Sequence, residues 1–290
     1  MMAEDWNDCA KSDIEMNEAV IKAKISNRIA NAVMTLHTVV PLLYGVGVIL
    51  ANVDATDRTI ELPHIYKVEV PFIINTQCTY KIVLIVELIH LVMCSWALGI
   101  LNALLLILIL HAGGQLNILH YWLTKLILKE KHKSIAIIME KIIQKHQKII
   151  YFAKNVESLY TFIAFMQFVS NTVMICLIGF LVITALGTAN ATEKIVRTIP
   201  YYSVTNIEAF IFCYAGEYLI NKSRAVALAA YNIAWYELEP KYSRILLFII
   251  LRAQKHLKLT VGKMMDLSLQ CFASIMNSAG SYLSVLLAMQ

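Results

Sequence analysis

Charge is what this sequence has least of. Asp, Glu, Lys and Arg make up only 16% of its 290 residues, where an ordinary soluble domain carries about 25%. Proline is also sparse, with five in the whole chain, so long helices meet few interruptions. The six cysteines (Cys9, Cys78, Cys94, Cys176, Cys213 and Cys271) are scattered without a CxxC spacing or a paired cluster. That argues against both a zinc site and a disulfide framework. No HExxH, Walker A, GxSxG or GxGxxG pattern occurs, and the histidines show no metal-ligand pairing on one helical face. These absences argue against an enzyme and imply neither cofactor nor metal. No internal repeat points to an inverted-repeat transporter. The polar, acidic opening Met1-Met2-Ala3-Glu4-Asp5-Trp6 does not read as a signal peptide.

What the chain has instead is apolar length. It is 59% hydrophobic, with a mean hydropathy of +0.63. The expected fold is all-α: a polytopic integral membrane protein of about five transmembrane helices with long cytoplasmic helical extensions. The net charge of +5 does not indicate nucleic acid, because Lys and Arg fall between the apolar segments, as in cytoplasmic loops.

Residues 1–28 are polar, and Lys22, Lys24 and Arg28 favour a cytoplasmic N-terminus. Residues 29–51 form the first span, holding His37, Thr38, Pro41 and Tyr44; Pro41 is expected to kink it. Residues 52–80, acidic and broken by Pro63 and Pro71, read as an extracellular loop. The second span, 81–110, contains Glu87, His90 and Asn102. Glu87 has two readings: a functional carboxylate inside the membrane, or a group in interfacial water. Residues 111–160 carry eight lysines against three glutamates, too much charge to span. Ile135, Ile138, Met139, Ile142, Ile149, Val156 and Leu159 recur there at helical spacing, predicting a long amphipathic helix in line with the next span.

The third span is 161–187. The short loop 188–199 after it contains the sequon Asn190-Ala191-Thr192, which would be glycosylated at Asn190 on the outside. Residues 200–220 form a fourth, more polar span opened by Pro200. Residues 221–258 are basic again, and the run at 245–251 reads as the buried part of a cytoplasmic helix pair joined near Pro240. Leu259 to Gln290 reads as the last membrane helix. Its small and hydroxyl residues Ser268, Ser274, Asn277, Ser278, Gly280, Ser281 and Ser284 suit close packing against other helices, or water in a pore.

Several motifs resemble one family. Thr260-x-Gly262-Lys263, Leu267-Ser268, Phe272, Ile275 and Ser281-Tyr282 are similar to the C-terminal signature of insect odorant receptors. The run Phe212-Cys213-Tyr214-Ala215-Gly216-Glu217-Tyr218-Leu219 matches that family too. So do Ala230-Tyr231 with Trp235-Tyr236, and His146-Gln147 with Gln167-Phe168 and Cys176. Val261 departs from the alanine common there, conservatively. Family members are longer and have seven membrane helices. The Glu4-Asp5-Trp6 region resembles the segment before their third helix, so the five spans here would be helices three to seven.

The resemblance implies an odorant-gated, non-selective cation channel, a hetero-tetramer with an odorant receptor co-receptor, without G-protein coupling. It implies a multi-pass plasma-membrane protein with its N-terminus in the cytoplasm and its C-terminus outside. On that basis residues 1–110 hold the tail and the first two spans on the pocket side. Residues 111–160 are the cytoplasmic extension, 161–220 the third and fourth spans, 221–262 the anchor helices and 263–290 the pore-lining helix. The resemblance puts Val285 and Met289 at a hydrophobic gate, with Ser281 and Tyr282 beside them; packing against neighbouring helices is the competing role. Two apolar rings one turn apart would make a constriction that dewets when closed.

The implied pocket for small, volatile, apolar ligands draws on Thr38, Pro41, Tyr44 and Gly45, on Tyr80, Leu84, Glu87 and Leu91, on Ile178 and Val182, and on Tyr202 and Thr205. With one wall helix absent, that pocket is expected to be breached. Two other functions compete: a gustatory receptor channel, whose C-terminal motif normally differs, and a truncated, non-signalling receptor relic.

Overall fold

A computed structural model of the chain describes residues 2–9, 13–49, 65, 76–126, 132–185 and 191–288. In chain order these form α1 (Met2–Cys9), α2 (Asp13–Ile49), α3 (Gln77–Leu126), α4 (His132–Ala185), α5 (Ala191–Tyr231), α6 (Pro240–Gln254), a hairpin of β1 (Thr260–Val261) and β2 (Met265–Asp266), and α7 (Leu269–Ala288). Helix α3 packs against α2, α4 and α5, while α7 rests on α4 and α5. The architecture is all-α, as the composition predicts.

Length explains much of the shape. The 50 residues of α3 and the 54 of α4 give rods of about 75 and 81 Å, far longer than a hydrocarbon layer of about 30 Å. Each must therefore leave the membrane. Burial follows the same division. On α3, Ile82, Ile85, Val86, Ile89 and Met93 are exposed, whereas Leu105, Ile109, Leu116, Leu119 and Leu123 are buried. The apolar half faces outward and the more polar half is packed in protein. A row of exposed isoleucines is a liability in water and an ordinary surface in lipid. On α4, Ile135, Met139, Ile142, Ile149 and Val156 are buried as their spacing predicts, and Leu159 is exposed.

Among the described residues, four helices are long and apolar enough to cross a membrane: Glu15–Val48, Gln77–Leu126, Ile135–Thr184 and Leu269–Ala288. The fourth span of the sequence reading corresponds to α5, which is long enough at 41 residues but too polar to qualify. Its polarity has a structural reason: Glu208 and Glu217 pair with neighbouring elements instead of facing lipid.

Three boundaries differ from expectation. Helix α5 begins at Ala191 and carries Pro200 inside it, whereas the sequence reading opened that span at Pro200. Helix α3 runs on to Leu126, well into the stretch set apart as a charged extension, because residues 111–123 still bury an apolar face. The last helix starts at Leu269, not at Leu259 or Lys263. Residues Thr260–Asp266 form the hairpin instead, with Thr260 opposite Asp266 and Val261 opposite Met265. Gly262 (φ 57°) and Lys263 (φ 61°) both take left-handed backbone, the requirement of a tight hairpin turn, and a helix cannot pass through them. Of the expected loop 52–80, residues 52–64 and 66–75 lie outside the described residues, as do the sequon residue Asn190 and Met289.

Candidate functional site

The sequence-predicted pocket residues are partly gathered. On α2 and α3, Val48, Tyr80 and Leu84 are buried together, with Tyr44 and Ile65 packed against them. The Tyr44 ring meets Tyr201 of α5 edge-on, with centroids 5.2 Å apart. Glu87 is buried, and its Oε2 accepts a hydrogen bond from the Ile65 amide at 2.9 Å. A Cβ on Gly45 would collide with Leu88, so glycine there lets α2 and α3 close up. Pro41 is buried beside this group and Leu91 half-buried. Thr38 accepts a hydrogen bond from Trp96 Nε1 at 2.9 Å while donating to the Met34 carbonyl.

The remaining candidates lie on α4 and α5. Ile178 is buried on α4 and Val182 half-buried, near Gly179, which faces Leu283 of α7. Tyr202 packs against the main core. Thr205 donates to the Tyr201 carbonyl at 2.9 Å.

Beneath the aromatic group runs a polar chain that the sequence reading did not assemble. His37 Nε2 lies 2.7 Å from Glu208 Oε1. Asn102 Nδ2 donates to the same oxygen at 3.2 Å, and Gln167 Nε2 donates to Asn102 Oδ1 at 3.1 Å. His37 Nδ1 is 3.1 Å from Ser95 Oγ, whose hydroxyl donates to the His37 carbonyl at 2.8 Å. Four helices, α2 to α5, are thus joined by side-chain hydrogen bonds within their apolar lengths. His37, Asn102 and Gln167 were visible as polar breaks in apolar runs. Glu208, which joins them, stood out less because its span holds several other polar residues.

The other region is α7 with its hairpin. Cys271, Ile275 and Ala279 are buried at helical spacing and face α4 and α5. The opposite stripe, Gln270, Ser274, Asn277, Ser281 and Ser284, is exposed throughout. Its hydroxyls bond back to their own helix: Ser274 to the Gln270 carbonyl, Ser281 to Asn277 and Ser284 to Ser281. Tyr282 and Val285 are exposed beside it, at 60% and 57%. The hairpin docks on α4. The Gly262 amide donates to the Thr161 carbonyl at 3.0 Å, Thr260 Oγ1 donates to Glu157 Oε1 at 3.1 Å, and a Cβ on Gly262 would press on Phe165. The Thr260-x-Gly262-Lys263 motif is therefore a clasp between the long helix α4 and the root of α7.

At the other end of the chain, α1 is held by charge. Asp5 is buried and contacts Lys148 at 2.8 Å, His111 at 3.1 Å and Lys145 at 3.8 Å. Burial alone would raise its carboxyl, but these partners outweigh it and hold the group at about 2. A cavity of about 420 Å³ opens between α1, α2 and α3, lined by Trp6, Lys22, His111 and Gln115 among others. None of the pocket residues expected from the sequence lines it.

Comparison with known proteins adds to this geometry. A sequence model described as "7tm Odorant receptor" matches residues 2–280. Odorant receptor 10 of Aedes albopictus is 33% identical over 156 residues, 54% of this chain and 40% of its own length. Odorant receptor 13a of Drosophila melanogaster is 29% identical over 193 residues, 61% of this chain and 46% of its own. The chain thus spans less than half the length of these relatives in each match. The fold is similar to that of the insect olfactory receptor OR5 from Machilis hrabei in complex with eugenol, with a TM-score of 0.79 and 16% identity over 95% of this chain and 69% of that one.

Proposed function

This chain belongs to the odorant receptor family of insects, and from that premise we propose that it is a ligand-binding tuning subunit of an odorant-gated, non-selective cation channel. It acts in the plasma membrane as a hetero-tetramer with an odorant receptor co-receptor. The N-terminus is cytoplasmic and the C-terminus extracellular, and Asn190 is glycosylated. Its ligands are small, volatile and mostly apolar, and no G protein takes part.

The observation that carries the channel reading is the polar stripe of α7. A helix apolar enough to cross a membrane turns Gln270, Ser274, Asn277, Ser281 and Ser284 away from its own bundle. Lipid is a poor solvent for that face, whereas a water-filled path or a neighbouring subunit suits it. Val285 adjoins the stripe near its outer end and is the gate residue of this reading, with Met289, four residues further along the sequence, as its second member. Ser281 and Tyr282 flank the path. Eugenol, bound by a neighbour of the same fold, supports a small-molecule ligand. The aromatic group of Tyr44, Tyr80 and Tyr201, with the paired Glu87 carboxylate, is the wall offered to it. Thr38, Pro41, Gly45, Leu84, Leu91, Ile178, Val182, Tyr202 and Thr205 complete the candidate lining.

The test is electrical. Cells expressing this chain with a co-receptor should pass odorant-evoked cation current beyond that of the co-receptor alone, across a panel of volatile alcohols, esters and phenols. Current from this chain without a co-receptor would favour the gustatory type of channel. Surface expression and co-receptor association with no response across the panel would make it a non-signalling partner.

A further inference from the structure

Three sulfur-bearing side chains gather where α5, the hairpin and α7 converge. Cys213 and Cys271 are buried, at 2% and 5% exposure. Cys271 Sγ lies 3.6 Å from Met265 Sδ on β2, toward which it donates. Both cysteines line a small cavity of about 20 Å³, roughly the space of one water-sized sphere. Met265 is 39% exposed and gives the cluster an edge open to the surroundings. Gln167 and Asn171, both neutral amides, are the other polar side chains in the cavity lining, and among the described residues no group of three or more His, Cys, Asp or Glu gathers.

We propose that Cys213, Cys271 and Met265 form a binding site for a soft monovalent cation of the copper(I) or silver(I) class. Thiolate and thioether ligands select such ions. Three sulfurs about one ion, at metal–sulfur distances near the roughly 2.3 Å of zinc–thiolate bonds, would stand about 4 Å apart; the 3.6 Å separation of Cys271 and Met265 is close to that already. Charge balance selects the valence. A monovalent ion that replaces one thiol proton leaves one thiolate, one thiol and one thioether, with the charge of the cluster unchanged. The displaced proton passes to solvent, and no electron moves. Zinc would require the loss of two protons and a fourth ligand, and the cluster supplies three. Position helps as well: Cys271 lies in the first turn of α7, its amide bonded to Ser268 Oγ at 3.3 Å, and a helix N-terminus favours an anion. An occupied site would tie β2, α5 and α7 together at the root of the last helix. This assignment does not depend on α7 lining a pore.

The experiment is a silver(I) titration of the full chain in detergent micelles, reduced beforehand with a phosphine that is removed under nitrogen before silver is added, with metal counted after desalting. The wild type is compared with Cys213→Ser/Cys271→Ser. Circular dichroism and size-exclusion profiles show that the variants are folded. One shared site predicts that the double variant binds one silver ion fewer, and that one proton is released per ion at this site. A loss of two ions would mean independent thiols, and no loss would mean a sealed pair; either overturns the proposal. The milder Met265→Leu change should weaken binding at least tenfold, and unchanged affinity would sink the three-sulfur assignment. Displacement of silver from this site by an equal concentration of zinc(II) would overturn the monovalent class.

Discussion

Glu208 lies where a bilayer admits a carboxylate only with partners. Its Oε1 is shared by His37 and Asn102, and Asn102 is in turn bonded to Gln167. Removing one member of such a buried pair strands the others and costs about 3–5 kcal/mol. Glu208→Ala should therefore lower the melting temperature of the detergent-solubilised chain sharply. Glu208→Gln keeps an acceptor for Asn102 and should cost much less; equal melting of both variants and the wild type would remove the chain of bonds from the stability account. Asp5 acts the same way outside the membrane, and its sign is set by pH. Its carboxyl is depressed from 3.8 to about 2. The stabilisation, about 2–3 kcal/mol by linkage, is complete above about pH 4 and is lost as pH falls through 2. At neutral pH, Asp5→Asn should free α1 from Lys148 and Lys145, read as faster amide exchange in residues 2–9; unchanged exchange would show that apolar contacts alone hold α1.

Elements differ in how plainly the sequence announced them. Helix α4 was legible because nothing between Ile135 and Ala185 interrupts the helical spacing, so extension and span had to be one rod. The last helix was legible as a membrane helix, but its start was not. The hairpin before it is two residues per strand, too short for any periodicity, and it exists because Gly262 and Lys263 accept left-handed backbone and Gly262 fits against Phe165. Partners across helices were equally hidden: His37 and Glu208 are far apart in sequence, and only packing brings them together. Gly216 makes an element-scale test. A Cβ there would strike the backbone carbonyl of Leu267, and backbone cannot rotate aside as a side chain can. Gly216→Ala should push α5 away from the root of α7 and cost about 1–3 kcal/mol, despite alanine's better helix propensity. Gly280→Ala, with open space at its Cβ, should instead stabilise the isolated chain by up to about 1 kcal/mol. Two melting curves moving in the same direction would contradict the packing described for α5.

For the whole molecule the question is what covers α7. Only its Cys271, Ile275 and Ala279 face is buried within the chain, and the polar stripe with Val285 is left outward. In the proposed arrangement, with four such helices from this chain and a co-receptor around one axis, Val285 would face its counterparts across that axis. Two consequences separate that arrangement from a helix facing lipid. Val285→Ala widens a ring of apolar side chains, so it should raise basal current or change ion permeation in the co-expressed channel while co-purification with the co-receptor persists. Val285→Cys, paired with the co-receptor's equivalent position as cysteine, should cross-link between subunits under mild oxidation. A Leu247→Cys control, 55% exposed on α6, gives a cross-link expected only from random collision. Unaltered currents in Val285→Ala, together with no more cross-linking at 285 than at 247, would mean that lipid covers this face, and the serines of α7 would then be satisfied by their own backbone alone.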